Sequence, residues 1–338
     1  MPGTTGTPGM TGMKGRIRGT GMAVPERVLT NADHEKMVDT KDEWILTRTG
    51  IRERRIAGPE ESLSTFAVPA ALAALEMAGV AGSEVDLVLC ATVTPDTPFP
   101  ATANLIQDRI GATRAGSFDL SAGCTGFVYA LTVAEQFIES GMARTVLVVG
   151  GEILSKITDW TDRSTCVLFG DGAGAVLLQA TPDEGRGILA SAMHSDGSLG
   201  DLIFMPGGGS RNPPSRILYE SGLAFLKMRG NETFKIAVRS LAEVSQEVLG
   251  RAGIAQGEVD WFIPHQANRR IIEAVGKRLE IPDGRTYVNI DRYGNTSSGS
   301  IPIALDELNR AGKIGEGDVI LMSAFGAGLT WGATVLRW

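Results

Sequence analysis

Three stretches of the chain recur about half a chain away, in the same order and at nearly the same distance. SEVDLVL at 83 resembles GEVDWFI at 257, 174 residues on; RTVLVVGGE at 144 resembles GDVILMSAF at 317, 173 on. FDLSAGC, ending at Cys124, is matched by VNIDRYGN, ending at Asn295, 171 on. Each echo alone has the look of any buried strand. Shared order and offset point to duplication, and two such halves pack as one body rather than as two beads. The pattern breaks at Thr181, Pro182, Asp183, Glu184 and Gly185, a turn-forming run. The expected halves are residues 14–180 and 181–338.

Within each half, strand-like and helical patterns alternate. Residues 85–91, 145–149 and 319–322 are too continuously apolar for a half-exposed sheet and read as buried strands. Helical periodicity covers 65–78, 126–140, 234–252 and 269–279. Such alternation predicts an α/β protein with largely parallel sheets. A net charge of −7 argues against a nucleic-acid partner, which calls for a basic stripe. No apolar run reaches the 18 or so residues of a membrane span. Cys90, Cys124 and Cys166 are odd in number and fit neither a disulfide framework nor a zinc site, so a reducing, cytoplasmic home is expected. Residues 1–13 are rich in Gly, Thr and Pro and lack a signal peptide's apolar core. They read as a disordered leader or a misplaced start, with regular structure expected near Arg16 and Ile17.

The strongest chemical signal is a short strand ending in Ser-Ala-Gly, followed by Cys124 and an amphipathic helix. A sulfur at a helix N-terminus feels the dipole and free N–H groups, which lower a thiol pKa. A nucleophile and a buried structural thiol stand level on this segment alone; Cys90, inside a strand, reads as structural. His265 follows a strand that ends at Pro264, where a side chain points into the ligand crevice of an α/β sheet. Of the other two histidines, His34 reads as a solvated residue at a helix start and His194 as a loop hydrogen-bonder. Asn295 precedes an apolar helix and is the repeat partner of Cys124. It reads either as an ordinary N-cap or, through the duplication, as a second group facing the same crevice. FGDGAGA at 169 looks like a dinucleotide fingerprint but leads into the strand-like VLLQ, so that reading is rejected. FGAGLTWG at 325 also leads into a strand, and its N–H groups suit an oxyanion pocket. No P-loop and no metal-ligand spacing occurs.

Taken together, these residues resemble the β-ketoacyl-acyl-carrier-protein synthase III family of the thiolase superfamily, from about Gly15 to Trp338. The resemblance rests on DEWILTRTGIRER at 42, AGCTGFVYAL at 122, TDRSTCVLFGDGAGA at 161, MRGNETFK at 228, PHQAN at 264, GNTSSGS at 294 and AFGAGLTWG at 324. It implies a thiolase-like duplicated αβαβα five-layer fold, a homodimer, and a triad of Cys124, His265 and Asn295. It implies an oxyanion hole from the N–H groups of Cys124 and Ala327; many members have glycine at the second position. Trp44 and Arg163 match the pair that sandwiches the CoA adenine, Arg48 a phosphate contact, and Asn231 and Asn268 residues of the pantetheine tunnel. The helix after PHQAN offers an acidic carrier protein a local basic patch of Arg269, Arg270, Lys277 and Arg278; Lys235 matches another docking residue of the family, and Gln266 is assigned to the same surface. Phe99 matches a residue that reaches into the partner subunit's acyl pocket.

The implied reaction is a decarboxylative Claisen condensation of a short acyl-CoA, acetyl-CoA expected, with malonyl-acyl-carrier protein through an acyl-cysteine. It needs no cofactor, membrane or nucleic acid. A polyketide-priming synthase or acyltransferase with the same triad is the enzymatic alternative. A carrier-protein-binding partner subunit is the non-enzymatic one, and such chains typically lose the nucleophile that this chain keeps. Thiolase itself needs a second cysteine near the C-terminus, and no cysteine follows Cys166.

Overall fold

The computed structural model describes residues 12–182 and 184–338. Two sheets dominate. The first holds β1 (Met13–Ala23), β2 (Leu87–Ala91), β3 (Gly116–Leu120), β4 (Thr145–Ile153) and β5 (Asp171–Pro182), in spatial order β1-β5-β4-β2-β3. The second holds β6 (Gly187–Ser195), β7 (Trp261–Pro264), β8 (Val319–Gly326) and β9 (Thr330–Arg337), in order β7-β8-β9-β6. The helices that position the site are α1 (Asp42–Thr49), α2 (Leu63–Ala78), α3 (Gly126–Glu139), α4 (Gly230–Ala252), α5 (Arg269–Arg278) and α6 (Ser300–Arg310).

The sheets are mixed, which corrects the expectation of largely parallel pairing. β2 is parallel to β3 and β4, and β7 to β8, but the remaining pairs are antiparallel. Only Ala327, Gly328 and Leu329 separate β8 from β9. So short a link makes a hairpin and excludes a parallel crossover.

The duplication has one structural offset, 174 residues. It separates the starts of β1 and β6 (13 to 187), β4 and β8 (145 to 319), and α3 and α6 (126 to 300). It also separates the left-handed glycines that end α2 and α4: Gly79 at φ +65° and Gly253 at φ +66°. The pairing of Cys124 with Asn295 therefore slips by three residues. The counterpart of Cys124 (124 to 298) is Ser298.

β2 shows how both faces of a strand become buried. Leu87 and Leu89 join a core with Phe127 and Leu131 of α3 and Ile301 and Leu305 of α6, whereas Val88 and Cys90 pack with Ala67 and Ala71 of α2. Alternate residues of a strand face opposite ways, so a strand between two helical layers must be apolar throughout. α4 lays Ala237, Leu241, Val244 and Val248 on Leu321 and Val335 of the second sheet. The layers thus run α2, first sheet, α3 with α6, second sheet, α4 with α5. Each buried leucine or valine contributes roughly 1.5–3 kcal/mol. Truncating Leu89, fully buried at the centre, costs about 2–5 kcal/mol.

The seam and the start differ slightly from expectation. β5 runs on to Pro182, so the halves part after that residue rather than at 180. Met13 already pairs with Pro182 in β1, three residues before Arg16. Of the expected leader 1–13, residues 1–11 lie outside the described residues. No helix among the described residues is long and apolar enough to cross a membrane.

Candidate active site

Cys124 sits in a tight turn, Gly123–Thr125, between β3 and α3. The turn needs Gly123, whose φ is +54°. It also needs Gly326 at the end of β8, where a Cβ would lie 2.6 Å from the Cys124 backbone N. The second half repeats the device: Ser297–Gly299 leads into α6, and the two turns pack on one another. Here Ser297 takes a φ of +49°, the conformation Gly123 has in the first half. A non-glycine residue is strained there and must be held. The Asn295 Oδ1 accepts from Ser297 N–H at 2.8 Å, and the Ser297 hydroxyl donates to Glu152 at 3.3 Å.

Asn295 is pinned from both sides. Its N–H donates to Leu168 O at 2.9 Å and its carbonyl accepts from Gly170 N–H at 3.0 Å. The Gly-rich run at 169 therefore serves as a brace before β5. A Cβ at Gly170 would come 2.1 Å from the Tyr293 carbonyl oxygen. With Oδ1 committed to Ser297, the side-chain amide presents its donor end on the opposite side.

His265 follows β7, its N–H donating to Ser323 O at 2.8 Å. Nδ1 lies 2.7 Å from the Ser300 hydroxyl; Nε2 is buried without a partner among the described residues. Burial pushes the imidazole down to about 3, so the ring is neutral at physiological pH. One cavity of about 130 Å³ unites Cys124, His265 and Asn295, with Asn268 and Phe234 in its wall.

The resting thiol is not the low-pKa group expected from its helix terminus. Burial pushes Cys124 up to about 11; a hydrogen bond from Ser297 pulls it down, and the Glu152 charge pushes it up. Loss of water outweighs the dipole of a helix that begins two residues later. Glu152 is fully buried at the end of β4 and accepts from Thr92 Oγ1 at 3.0 Å, from the Thr94 hydroxyl at 2.5 Å and from Ser298 Oγ at 3.1 Å. Burial raises its carboxyl to about 7. Neither Glu152 nor Ser300 stood among the candidates. The available signals were a carboxylate closing an apolar strand run and a serine that reads as a helix cap.

The remaining candidates fall into separate groups. Arg163 and Arg48 lie 5.0 and 5.6 Å from the Trp44 ring centre, so that Arg163, from a separate segment, joins Trp44 and Arg48 of α1 in one cluster. Asn268 caps α5 by accepting from Arg270 N–H at 2.9 Å, and donates to Arg48 O at 3.0 Å, tying that cluster to the cavity. The Asn231 side chain lies outside the described residues. Ala327 N lies 2.9 Å from where a Gly123 Cβ would stand, beside the nucleophile's turn. Lys235, Arg269, Arg270 and Lys277 are exposed, and Arg270 lies 5.4 Å from the ring centre of Phe234. Gln266 is a correction. It is 1% exposed, donates to Pro264 O at 2.8 Å and accepts from Asn289 N–H at 3.0 Å, so it is an internal strut out of a docking partner's reach. Phe99 is 83% exposed and lies outside this chain's own cavity. His34 is likewise corrected: it is buried, with its ring nitrogens facing Thr30 O and Cys166 O at 3.2 and 3.0 Å.

A duplicated five-layer fold in which the turns before the two central helices bring Cys124 and Asn295, and the end of β7 brings His265, to one cavity defines a thiolase-fold condensing enzyme. Family models for 3-oxoacyl-[acyl-carrier-protein] synthase III and for its C-terminal part match residues 118–197 and 249–338. The chain is 52% identical to the β-ketoacyl-[acyl-carrier-protein] synthase III of Caldanaerobacter subterraneus subsp. tengcongensis over 322 residues, 95% of this chain and 97% of the relative. It belongs to the β-ketoacyl-acyl-carrier-protein synthase III family. The crystal structure of 3-oxoacyl-[acyl-carrier-protein] synthase III from Aquifex aeolicus matches with a TM-score of 0.88 at 50% identity, covering 96% of this chain and all of that one. A priming β-ketosynthase from the R1128 polyketide pathway matches with a TM-score of 0.91 at 38% identity, over 99% and 98%.

Proposed function

We infer that this chain is a 3-oxoacyl-acyl-carrier-protein synthase III that starts fatty acid synthesis. It joins a short acyl-CoA to malonyl-acyl-carrier protein. The observation that carries this reading is the shared cavity: a nucleophile, a neutral imidazole with a free ring nitrogen, and an amide meet in one space with mainly apolar walls.

In the first half-reaction the Cys124 sulfur attacks the thioester carbonyl. The N–H groups of Cys124 and Ala327 receive the developing oxyanion. The C–S bond to CoA breaks, and the proton lost by Cys124 ends on the CoA sulfur. Trp44, Arg163 and Arg48 hold the nucleotide end, and Asn231 and Asn268 flank the pantetheine arm. In the second, malonyl-acyl-carrier protein enters the emptied tunnel, docking on Lys235, Arg269, Arg270 and Lys277. The bond to its carboxylate breaks, CO₂ leaves, and the electron pair moves onto the thioester oxygen. Neutral His265 and the Asn295 amide are both donors for that enolate, and the apolar surroundings strengthen each bond. The enolate carbon attacks acyl-Cys124, the thiolate departs, and 3-oxoacyl-acyl-carrier protein is released. Neither half-reaction calls for a metal or redox cofactor.

A homodimer belongs to the same reading. It is supported by the open edge of β3, where Phe118 is 39% exposed, and by Phe99 standing free of its own chain. The three unpaired cysteines fit a reducing, cytoplasmic setting.

Mass spectrometry of the intact protein after incubation with acetyl-CoA tests the reading. A gain of one acetyl group, lost in Cys124→Ala, is expected. No adduct with any acyl-CoA would leave a carrier-protein-binding subunit instead. Preference for longer or branched acyl-CoAs over acetyl-CoA would move the chain to polyketide priming.

A further inference from the structure

We propose that Ser300 is a positioning residue that holds His265 in the tautomer carrying its proton on Nε2, so that the ring presents a donor to the cavity. The proposal deepens the condensing reading above and rests on it for its catalytic consequence.

The argument is hydrogen-bond accounting in a buried place. Ser300 is the first residue of α6 and is 2% exposed. Its Oγ has two partners among the described residues: His265 Nδ1 at 2.7 Å and the Gln266 backbone N–H at 3.3 Å. The N–H of Gln266 can only donate, so it takes one lone pair of Oγ. That leaves one choice at the imidazole. If Nδ1 carried the ring proton, Oγ would accept twice and its own hydroxyl proton would point at no acceptor. If Nε2 carries it, the hydroxyl donates to Nδ1 while accepting from Gln266, and all three groups are satisfied. A buried hydroxyl without an acceptor is the costlier state. Nε2, which has no partner among the described residues, then carries the hydrogen that His265, a residue of the cavity wall, has free to donate.

The ring is also held in place. His265 N–H is bonded to Ser323 O, and Gln266 is locked by Pro264 O and Asn289 N. Ser300 is thus fed by a fixed donor on one side and faces a fixed ring on the other. It stands five residues after Asn295, at the start of the helix into which the Asn295 segment leads. One continuous segment therefore carries the Asn295 amide and the hydroxyl that orients His265.

Nitrogen-15 NMR of the full-length free enzyme, labelled at histidine, reads the tautomer without any substrate. His265 is expected as Nε2–H, with Nδ1 unprotonated and hydrogen-bonded. A proton on Nδ1 in the wild type would overturn the proposal. In Ser300→Ala the Nδ1 signal is expected to lose its hydrogen-bond shift. Malonyl-thioester decarboxylation should fall about tenfold in kcat, a fraction of the 10²–10³ of losing a donor outright. The KM for malonyl-acyl-carrier protein should hold, and acetyl transfer to Cys124 should change less. Equal losses in both half-reactions, or undiminished decarboxylation, would also overturn it. An acetyl adduct that never forms on the wild type would sink the condensing reading, while the tautomer is read independently of it.

Discussion

The Arg163 guanidinium lies 5.0 Å from the Trp44 ring centre, and this pair is the one proposed to take the CoA adenine. The arginine is held from behind, donating to Asp39 O at 2.8 Å. A base that slides between the two must first displace Arg163, exchanging one cation–ring contact for two stacked ones. A cation–π contact is worth about 0.5–2 kcal/mol and a stacked base about 1–3 kcal/mol. Trp44→Ala is therefore expected to raise the KM for acetyl-CoA roughly tenfold or more. Arg163→Ala has a smaller effect, because the collapsed contact it removes also competes with the base. Acetyl-pantetheine, which lacks the nucleotide, should react equally well with all three enzymes. A Trp44→Ala defect that persists with acetyl-pantetheine would place Trp44 outside nucleotide binding.

Cys124 alkylation has a pH signature. Burial holds its thiol near 11, so the thiolate fraction rises about tenfold for each pH unit below that value. Iodoacetamide labelling of the free enzyme should climb from pH 7 to pH 10 without levelling. Cys90, fully buried inside a strand and with its thiol also pushed up by burial, should label last. A plateau near pH 7 would mean that the helix terminus outweighs burial after all.

Asn295 divides the two half-reactions. In the proposed reaction its amide is a donor for the enolate, and removing one such donor typically costs 10²–10³ in rate, about 3–4 kcal/mol. Asn295→Ala should lose that much in malonyl decarboxylation and far less in acetyl transfer, measured as CO₂ release and as intact mass. An equal loss in both would assign Asn295 to the fold rather than to the enolate.

Much of this site was legible locally, and the misreadings share a cause. Cys124, His265 and Asn295 each stand where a strand or tight link gives way to a helix, a signal contained in a few neighbouring residues. Gln266 sits in the same motif as His265, and nothing local says that its carboxamide is matched to Pro264 O and Asn289 N on separate segments. His34 is flanked by Asp33 and Glu35, which read as solvent, yet its ring turns inward to Cys166 O. The thiol's environment was misjudged in the same way. The helix dipole is readable from the turn, but the burial that outweighs it comes from strands and loops far along the chain. The offset slip at Asn295 arose because aligning one chemical residue on another missed the match of Ser298 to Cys124.

Glu152 joins the two halves behind the nucleophile, bonding Thr92 and Thr94 on one side and Ser297 and Ser298 on the other. Its carboxyl is raised to about 7 by burial, against an ordinary 4.5. The folded state therefore binds this proton more tightly than the unfolded state. Its contribution is fully present below about pH 4.5 and is lost as pH rises through about 7. Chemical denaturation from pH 4.5 to 8 should show wild-type stability falling relative to Glu152→Gln by a few kcal/mol. Parallel curves for the two proteins would mean that Glu152 is ionised throughout.

Arg270 offers the clearest test of how an acidic enzyme meets an acidic carrier. The chain carries −7, so net charge gives no long-range attraction and a local basic patch must act instead. On α5, Arg270 and Lys277 are two turns apart on one exposed face. Arg269 is turned aside, bonded to Glu273 at 2.8 Å and packed beside Gly50. Arg270 rests over Phe234, and Phe234 lines the cavity, so the charge stands where a phosphopantetheine arm would enter. Arg270→Glu should raise the KM for malonyl-acyl-carrier protein severalfold, with a further rise when Lys277 is also lost. Acetyl transfer from CoA should barely change, because the nucleotide site proposed for CoA is at Trp44, away from this face. Added salt should weaken the wild type toward the variant, since exposed charges are screened over about 8 Å at physiological ionic strength. The two half-reactions measured side by side decide the matter: an unchanged KM for the carrier protein in Arg270→Glu would reduce this face of α5 to a solvated surface.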